Sequence, residues 1–123
     1  MGRMILIAAL ILLPLQSVTA ATRIVRPDGS GDYPTIQAAI NAASHGDTIE
    51  LTGGTFLGEG NRDINFNGRS ITVRSRSGDP QACIIDCQGT VEETHRGFVF
   101  SSGEGPASVV RDLTITGALV NGC

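Results

Sequence analysis

The sequence holds no lysine, no tryptophan and a single tyrosine among its 123 residues. All nine basic residues are arginine, set against twelve acidic ones, for a formal net charge of −3. Without a basic cluster or stripe the chain lacks the electrostatic footprint of a nucleic-acid or anionic-membrane binder, although a neutral or calcium-bridged glycan is not excluded. Long apolar runs are missing too. The longest, Met4 to Leu15, covers 12 residues, against the roughly 20 that a bilayer-spanning helix needs.

What that run does fit is a secretory leader. Arg3 supplies the charged end, Met4 to Leu15 the apolar stretch, and Val18-Thr19-Ala20 the small residues on which a signal peptidase closes. Residues 1–20 therefore read as a signal peptide cut after Ala20, and Ala21 stands where a lipoprotein would need cysteine. The expected product, residues 21–123, makes one small domain with no transmembrane span, secreted or held at the cell surface. It has lost Arg3, so its net charge is about −4.

Cysteine is scarce and odd in number: Cys83, Cys87 and Cys123. If the segment ACIIDC is extended, the first two Cα atoms stand about 13 Å apart, too far for a disulfide. Cys83 and Cys87 are expected to be small core residues.

One helix is legible, over Thr35 to Ser44. Ile36, Ala39, Ile40 and Ala43 recur at the spacing of a single helical face, with Pro34 and Thr35 suited to its start and Gly46 to its end. Beyond it the period becomes two, in Thr48 to Leu51, Ser70 to Arg74 and Asp112 to Thr116. Shorter strand-like pieces lie between, at Ile64 to Phe66, Cys83 to Asp86 and Phe98 to Phe100.

Spacing addresses how these strands pair. Ile49 to Ile71 is 22 residues and Ile71 to Leu113 is 42, close to twice as many. Hairpins need turns of two to five residues, whereas these gaps hold further strands. A chain winding around a prism, a parallel β-helix, accounts for both features. It predicts interior columns of Ile49, Ile71 and Leu113, and of Leu51, Val73 and Ile115. The long third interval then holds one coil with an outward loop at Gly89 to Arg96, in preference to two coils. A β-sandwich is the rival, weakened by few aromatics and few tight-turn dipeptides. Asn67-Gly68 would be a corner turn, and Ile84, Ile85, Phe98, Phe100, Val109 and Val110 are expected mostly in the core.

The stretch VRPDGSGDYPTIQAAINAASHGDTIEL, from Val25 to Leu51, resembles the opening of pectinesterases and related right-handed β-helix proteins. NRDINFNGRSITVRS and ACIIDCQG resemble the first coils of secreted right-handed β-helix repeat proteins. The two likenesses cover residues 25 to about 117. They imply an all-β, right-handed parallel β-helix with an N-terminal capping helix, and a pectate-lyase-like opening. No catalytic residue carries over, because nothing here matches the carboxylates, glutamines, calcium-binding aspartates or basic residues of those enzymes.

Candidate sites are few. Glu50, Thr72, Arg74 and Thr114 point outward from the matched strands and would line one exposed face, as a glycan-binding surface. Asp28 and Asp32 in DGSGD are weak candidates for calcium, the only cofactor considered, since the turn lacks the later glutamate of an EF-hand. A glycine-permitted turn explains them as well. His45, His95 and the Glu92-Glu93 pair read as surface.

The chain stops just after a strand, and a solenoid needs covering at both ends. The expectation is a longer protein whose C-terminal part is missing, with Cys123 separated from its partner. The function expected is structural, adhesive or glycan-binding, with a polysaccharide or cell-surface ligand as partner. The alternative is the front of a carbohydrate-active enzyme of the pectinesterase or polysaccharide lyase type.

Overall fold

The computed structural model describes residues 19–121; the apolar leader run and Cys123 lie outside them, with the readings attached to each. The order of elements is β1 (Thr22–Val25), α1 (Ile36–Ala42), β2 (Thr48–Leu51), β3 (Gly54–Phe56), β4 (Ile64–Asn65), β5 (Thr72–Ser75), β6 (Cys83–Asp86), β7 (Phe98–Val99), β8 (Val109–Arg111) and β9 (Thr114–Thr116). The fold class is all-β with one short helix.

Every pair of these strands is parallel. They form three sheets, ordered β1-β2-β5-β8, β3-β6-β9 and β4-β7. After α1 the chain visits the sheets in rotation, through β2, β3 and β4, then β5, β6 and β7, then β8 and β9. β5 lies directly beside β8, so one circuit, not two, fills the long interval between them.

Period-two alternation sets the inner face. Ile49 and Leu51 on β2, Val73 and Ser75 on β5, and Cys83 and Ile85 on β6 are buried, while their neighbours are only partly so. Phe56, Ile64 and Phe66 complete the centre, all fully buried. Cys83 and Cys87 are buried free thiols on this inner side, and burial pushes Cys83 up to about 11. Phe66 packs edge-on against Phe98 and Phe100, at 6.0 and 4.9 Å between ring centroids.

The helix is shorter than its apolar stripe suggested. Thr35 caps it, its Oγ1 accepting from Ala38 N–H at 3.1 Å. Ala43 already has extended backbone, because the Asp47 carboxylate draws Ser44 N–H out of helical geometry at 2.9 Å. Ile36, Ala39 and Ile40 are the buried face. Polar contacts to neighbouring loops and strands hold both ends. Asn61 Oδ1 accepts from Ile36 N–H, and Gln37 exchanges two hydrogen bonds with the Asn65 backbone. Arg69 donates to the carbonyls of Ala43 and Asn41, and Arg23 to that of Ala42. Helix carbonyls left without intrahelical partners are thus met by guanidinium groups.

The expected interior columns are corrected. Ile49 stands beside Val73, not Ile71, and Val73 beside Ile49 and Val110, not Leu51 and Ile115. Leu51 neighbours Ser75, and Ile115 belongs to the second sheet, beside Ile85. A two-residue slip keeps the same side chains facing inward, so alternation alone cannot choose between the registers. The corners choose. Gly46 N–H donates to Ser70 O and Thr72 N–H to Asp47 O, which sets Thr48 beside Thr72. Asp112, at φ +60°, turns the chain between β8 and β9, dividing what read as one strand into pieces of two sheets. Asn67 and Gly68 both have positive φ, and Arg69 N–H closes on Phe66 O at 3.0 Å, the expected corner turn.

The expected core also needs one adjustment. Ile85 is buried, Ile84, Phe98, Val109 and Val110 are half-buried, and Phe100 is 49% exposed. These last four, with Ile115, lie on or beside β7, β8 and β9, strands that have a neighbour on one side only among the described residues.

Candidate functional site

The outward residues of the first sheet stack in register. Thr22, Thr48, Thr72 and Val109 make one row, and Ile24, Glu50, Arg74 and Arg111 the next. Glu50, Thr72 and Arg74 are therefore brought together as expected from the sequence. Thr114 is not. It sits on β9 in the second sheet beside Ile84, and its hydroxyl donates to Pro80 O at 2.6 Å. The structure adds Arg111, which alternation had assigned to no strand, and the exposed Arg76, two residues past Arg74.

Charge is unevenly satisfied in this row. Arg74 Nη2 meets Glu50 Oε2 at 3.3 Å, with the two side chains 36% and 15% exposed. The buried Arg74 Nε has no hydrogen-bond partner among the described residues. Arg111, 51% exposed, reaches only its neighbour Asp112, at 3.7 Å. Two guanidinium groups on adjacent strands, about 5 Å apart at the backbone, repel each other. The surface thus presents the guanidinium groups of Arg74 and Arg111 beside a row of threonine hydroxyls, which suits carboxylate or sulfate acceptors.

The DGSGD segment forms a turn whose carboxylates are already engaged. Asp28 Oδ1 accepts from the Ser30 hydroxyl and N–H at 2.6 and 3.0 Å, and the hydroxyl bond holds its carboxyl below the usual range. Asp32 Oδ2 accepts from Ile24 N–H at 2.8 Å. Among the described residues no group of three or more His, Cys, Asp or Glu side chains is placed to hold a metal ion. Beside this turn Arg26, Asp28, Ser30 and Thr52 border a shallow depression of about 400 Å³.

A second polar cluster corrects the reading of His95 as simple surface, while Glu93, part of the same cluster, is exposed as expected. His95 is 8% exposed. Its Nδ1 lies 2.6 Å from Asp63 Oδ2 and its Nε2 3.2 Å from Glu93 Oε1. Asp63 also accepts from Arg96 N–H at 2.7 Å, and has φ +49°. Arg62 packs alongside, donating to Glu59 and to the Cys87 carbonyl. Asp63 and His95 lie 32 residues apart, so no local pattern announces their meeting. His45, by contrast, accepts from Ser70 N–H through Nδ1, and Glu92 is exposed.

No family model, no curated protein and no solved structure matches the chain. Among the described residues no helix is long and apolar enough to cross a membrane.

Proposed function

We propose that this chain is an exported right-handed parallel β-helix protein, capped by α1, whose first sheet binds an acidic glycan outside the cell or at its surface. Support for the winding comes from three all-parallel sheets visited in rotation, together with the likeness of Val25 to Leu51 to pectinesterase openings. Support for export comes from the leader pattern of residues 1–20.

The observation that carries the ligand is the in-register Arg74–Arg111 pair, flanked by Arg76 and by the hydroxyl row of Thr48 and Thr72. A uronate or sulfated sugar laid across the strands would bridge the two guanidiniums and relieve their repulsion, while its hydroxyls meet the threonines. Glu50 orients Arg74 and keeps the patch from binding every anion equally.

Calorimetric titration with polygalacturonate, a sulfated glycan and a neutral glucan tests this. The acidic chains are expected to bind and the neutral one not, with affinity falling as salt rises. Arg74→Ala and Arg111→Ala should each weaken binding by at least about tenfold, the worth of one charge-assisted hydrogen bond. Equal binding of the neutral glucan, or unchanged affinity in both variants, would reject the proposal.

A further inference from the structure

The cluster around His95 has the construction of a device and is independent of the glycan surface. Neutral imidazole carries one N–H, yet each ring nitrogen of His95 faces a carboxylate, Asp63 at 2.6 Å and Glu93 at 3.2 Å. Both contacts are hydrogen bonds only when the ring is an imidazolium. On deprotonation one nitrogen turns a lone pair toward a carboxylate, and that contact becomes repulsive.

The same residues tie together three separate parts of the chain. Asp63 N–H donates to Arg96 O, and Asp63 Oδ1 accepts from Arg96 N–H. His95 pairs antiparallel with Leu119 through N–H to carbonyl bonds of 3.0 and 2.9 Å. Thr90 and Glu93 close the loop on themselves. We propose that Asp63, His95 and Glu93 form a proton-operated latch, which pins the 90–96 loop to the turn before β4 and, through His95, the segment after β9.

The charged and titratable groups around the ring act together. The connection from β3 to β4 brings Glu59, Arg62 and Asp63, and the loop itself brings Glu93; behind them the end of β6 sets Cys87, with Asp86 beside it, near Arg62 and Asp63. Arg62 opposes protonation of the ring, but it is engaged by Glu59 at 2.8 Å and stands 3.9 Å from Glu93. The hydrogen bond that His95 donates to Asp63 dominates, with help from the one to Glu93, and holds His95 above its ordinary 6.5. Burial resists ionisation of Asp63, but the Arg96 N–H and His95 outweigh it and hold that carboxyl below 3.8.

The signs give a window. A histidine whose value is raised by folding contributes stability that is complete below about 6.5 and lost as pH rises through its folded value. An aspartate whose value is lowered contributes stability that is lost as pH falls below about 3.8. The latch is closed under mildly acidic conditions and opens toward alkaline pH, releasing the loop while the sheets stay paired.

Ring-resonance NMR titration of His95, with amide hydrogen exchange at His95 and Leu119, tests the proposal on the intact protein. His95 is expected to titrate above 6.5. Protection at the Leu119 amide, corrected for intrinsic exchange, should fall by about tenfold across that midpoint, as for one lost hydrogen bond. Asp63→Asn and Glu93→Gln should each lower the midpoint and flatten the change in protection. Asn tolerates the positive φ at position 63, and Glu93→Gln, at an exposed loop position, serves if the first variant does not fold. A His95 midpoint at or below 6.5, protection that does not follow it, or a midpoint unmoved by the variants would overturn the latch.

Discussion

The Asp47 carboxylate accepts from Ala21 N–H at 2.8 Å, from Ser44 N–H at 2.9 Å and from the Arg23 guanidinium at 2.6 Å, and its side chain is 3% exposed. It joins the strand before the helix to the turn after it. Truncating it leaves a half-buried guanidinium without its carboxylate and two backbone donors unpaired, so Asp47→Ala should cost about 3 kcal/mol in denaturant unfolding. An effect under about 0.5 kcal/mol, the size of an ordinary surface substitution, would contradict that role. Nothing in the sequence marks Asp47 out, since Gly46-Asp47 reads as an ordinary turn. His95 is similar, unremarkable until the fold sets Asp63 against it. Alternation did place Glu50, Thr72 and Arg74 outward, because facing is a local property of a strand. Thr114 went astray because the sheet it joins is not local.

At the level of elements, α1 depends on groups it does not contain. Its seven residues are too few for independent stability, and it is held by Asn61, the Asn65 backbone, Arg23 and Arg69. Arg69 serves two carbonyls near the helix end, and its own carbonyl accepts from the Ser108 hydroxyl. Arg69→Ala should therefore destabilise by about 1–2 kcal/mol, with the loss appearing as faster amide exchange in α1. Lysine should restore only part, since an ammonium does not reproduce the guanidinium fork. Exchange in α1 unchanged by Arg69→Ala would show that the apolar face alone holds it. That face, Ile36, Ala39 and Ile40, was visible in the 3.6-residue spacing. The helix end was not, because Asp47 rather than Gly46 terminates it.

For the whole molecule, the titrating groups set a pH range of greatest stability. Asp47, held low chiefly by the Ser44 N–H, and Asp63 both lie below 3.8, so stability falls as pH drops below that value. His95 withdraws its contribution as pH rises above 6.5. Cys83, kept neutral by burial, withdraws its own between 9.0 and about 11. Thermal unfolding from pH 2 to 10 should show its highest Tm near about pH 5. A maximum above pH 8 would mean that these groups do not govern the balance. Parallel pairing across long connections was legible from strands too far apart for hairpins, but its spacing was not. Successive neighbours in the first sheet are Thr48, Thr72 and Val109; the intervals of 24 and 37 residues differ because the corner loops differ in length.

Local sequence was enough to specify which residues face inward, where the helix lies, and that the strands had to pair across long connections. Each of these follows from side-chain periodicity and turn chemistry, which act within a few residues. Register, the division of Val109 to Thr116 between two sheets, the Arg74–Arg111 neighbourhood and the Asp63–His95–Glu93 contact came only with the folded chain. A shift of two residues leaves every facing unchanged, and only hydrogen bonds between corners distant in sequence, such as Gly46 to Ser70 and Asp47 to Thr72, distinguish one stacking from the next.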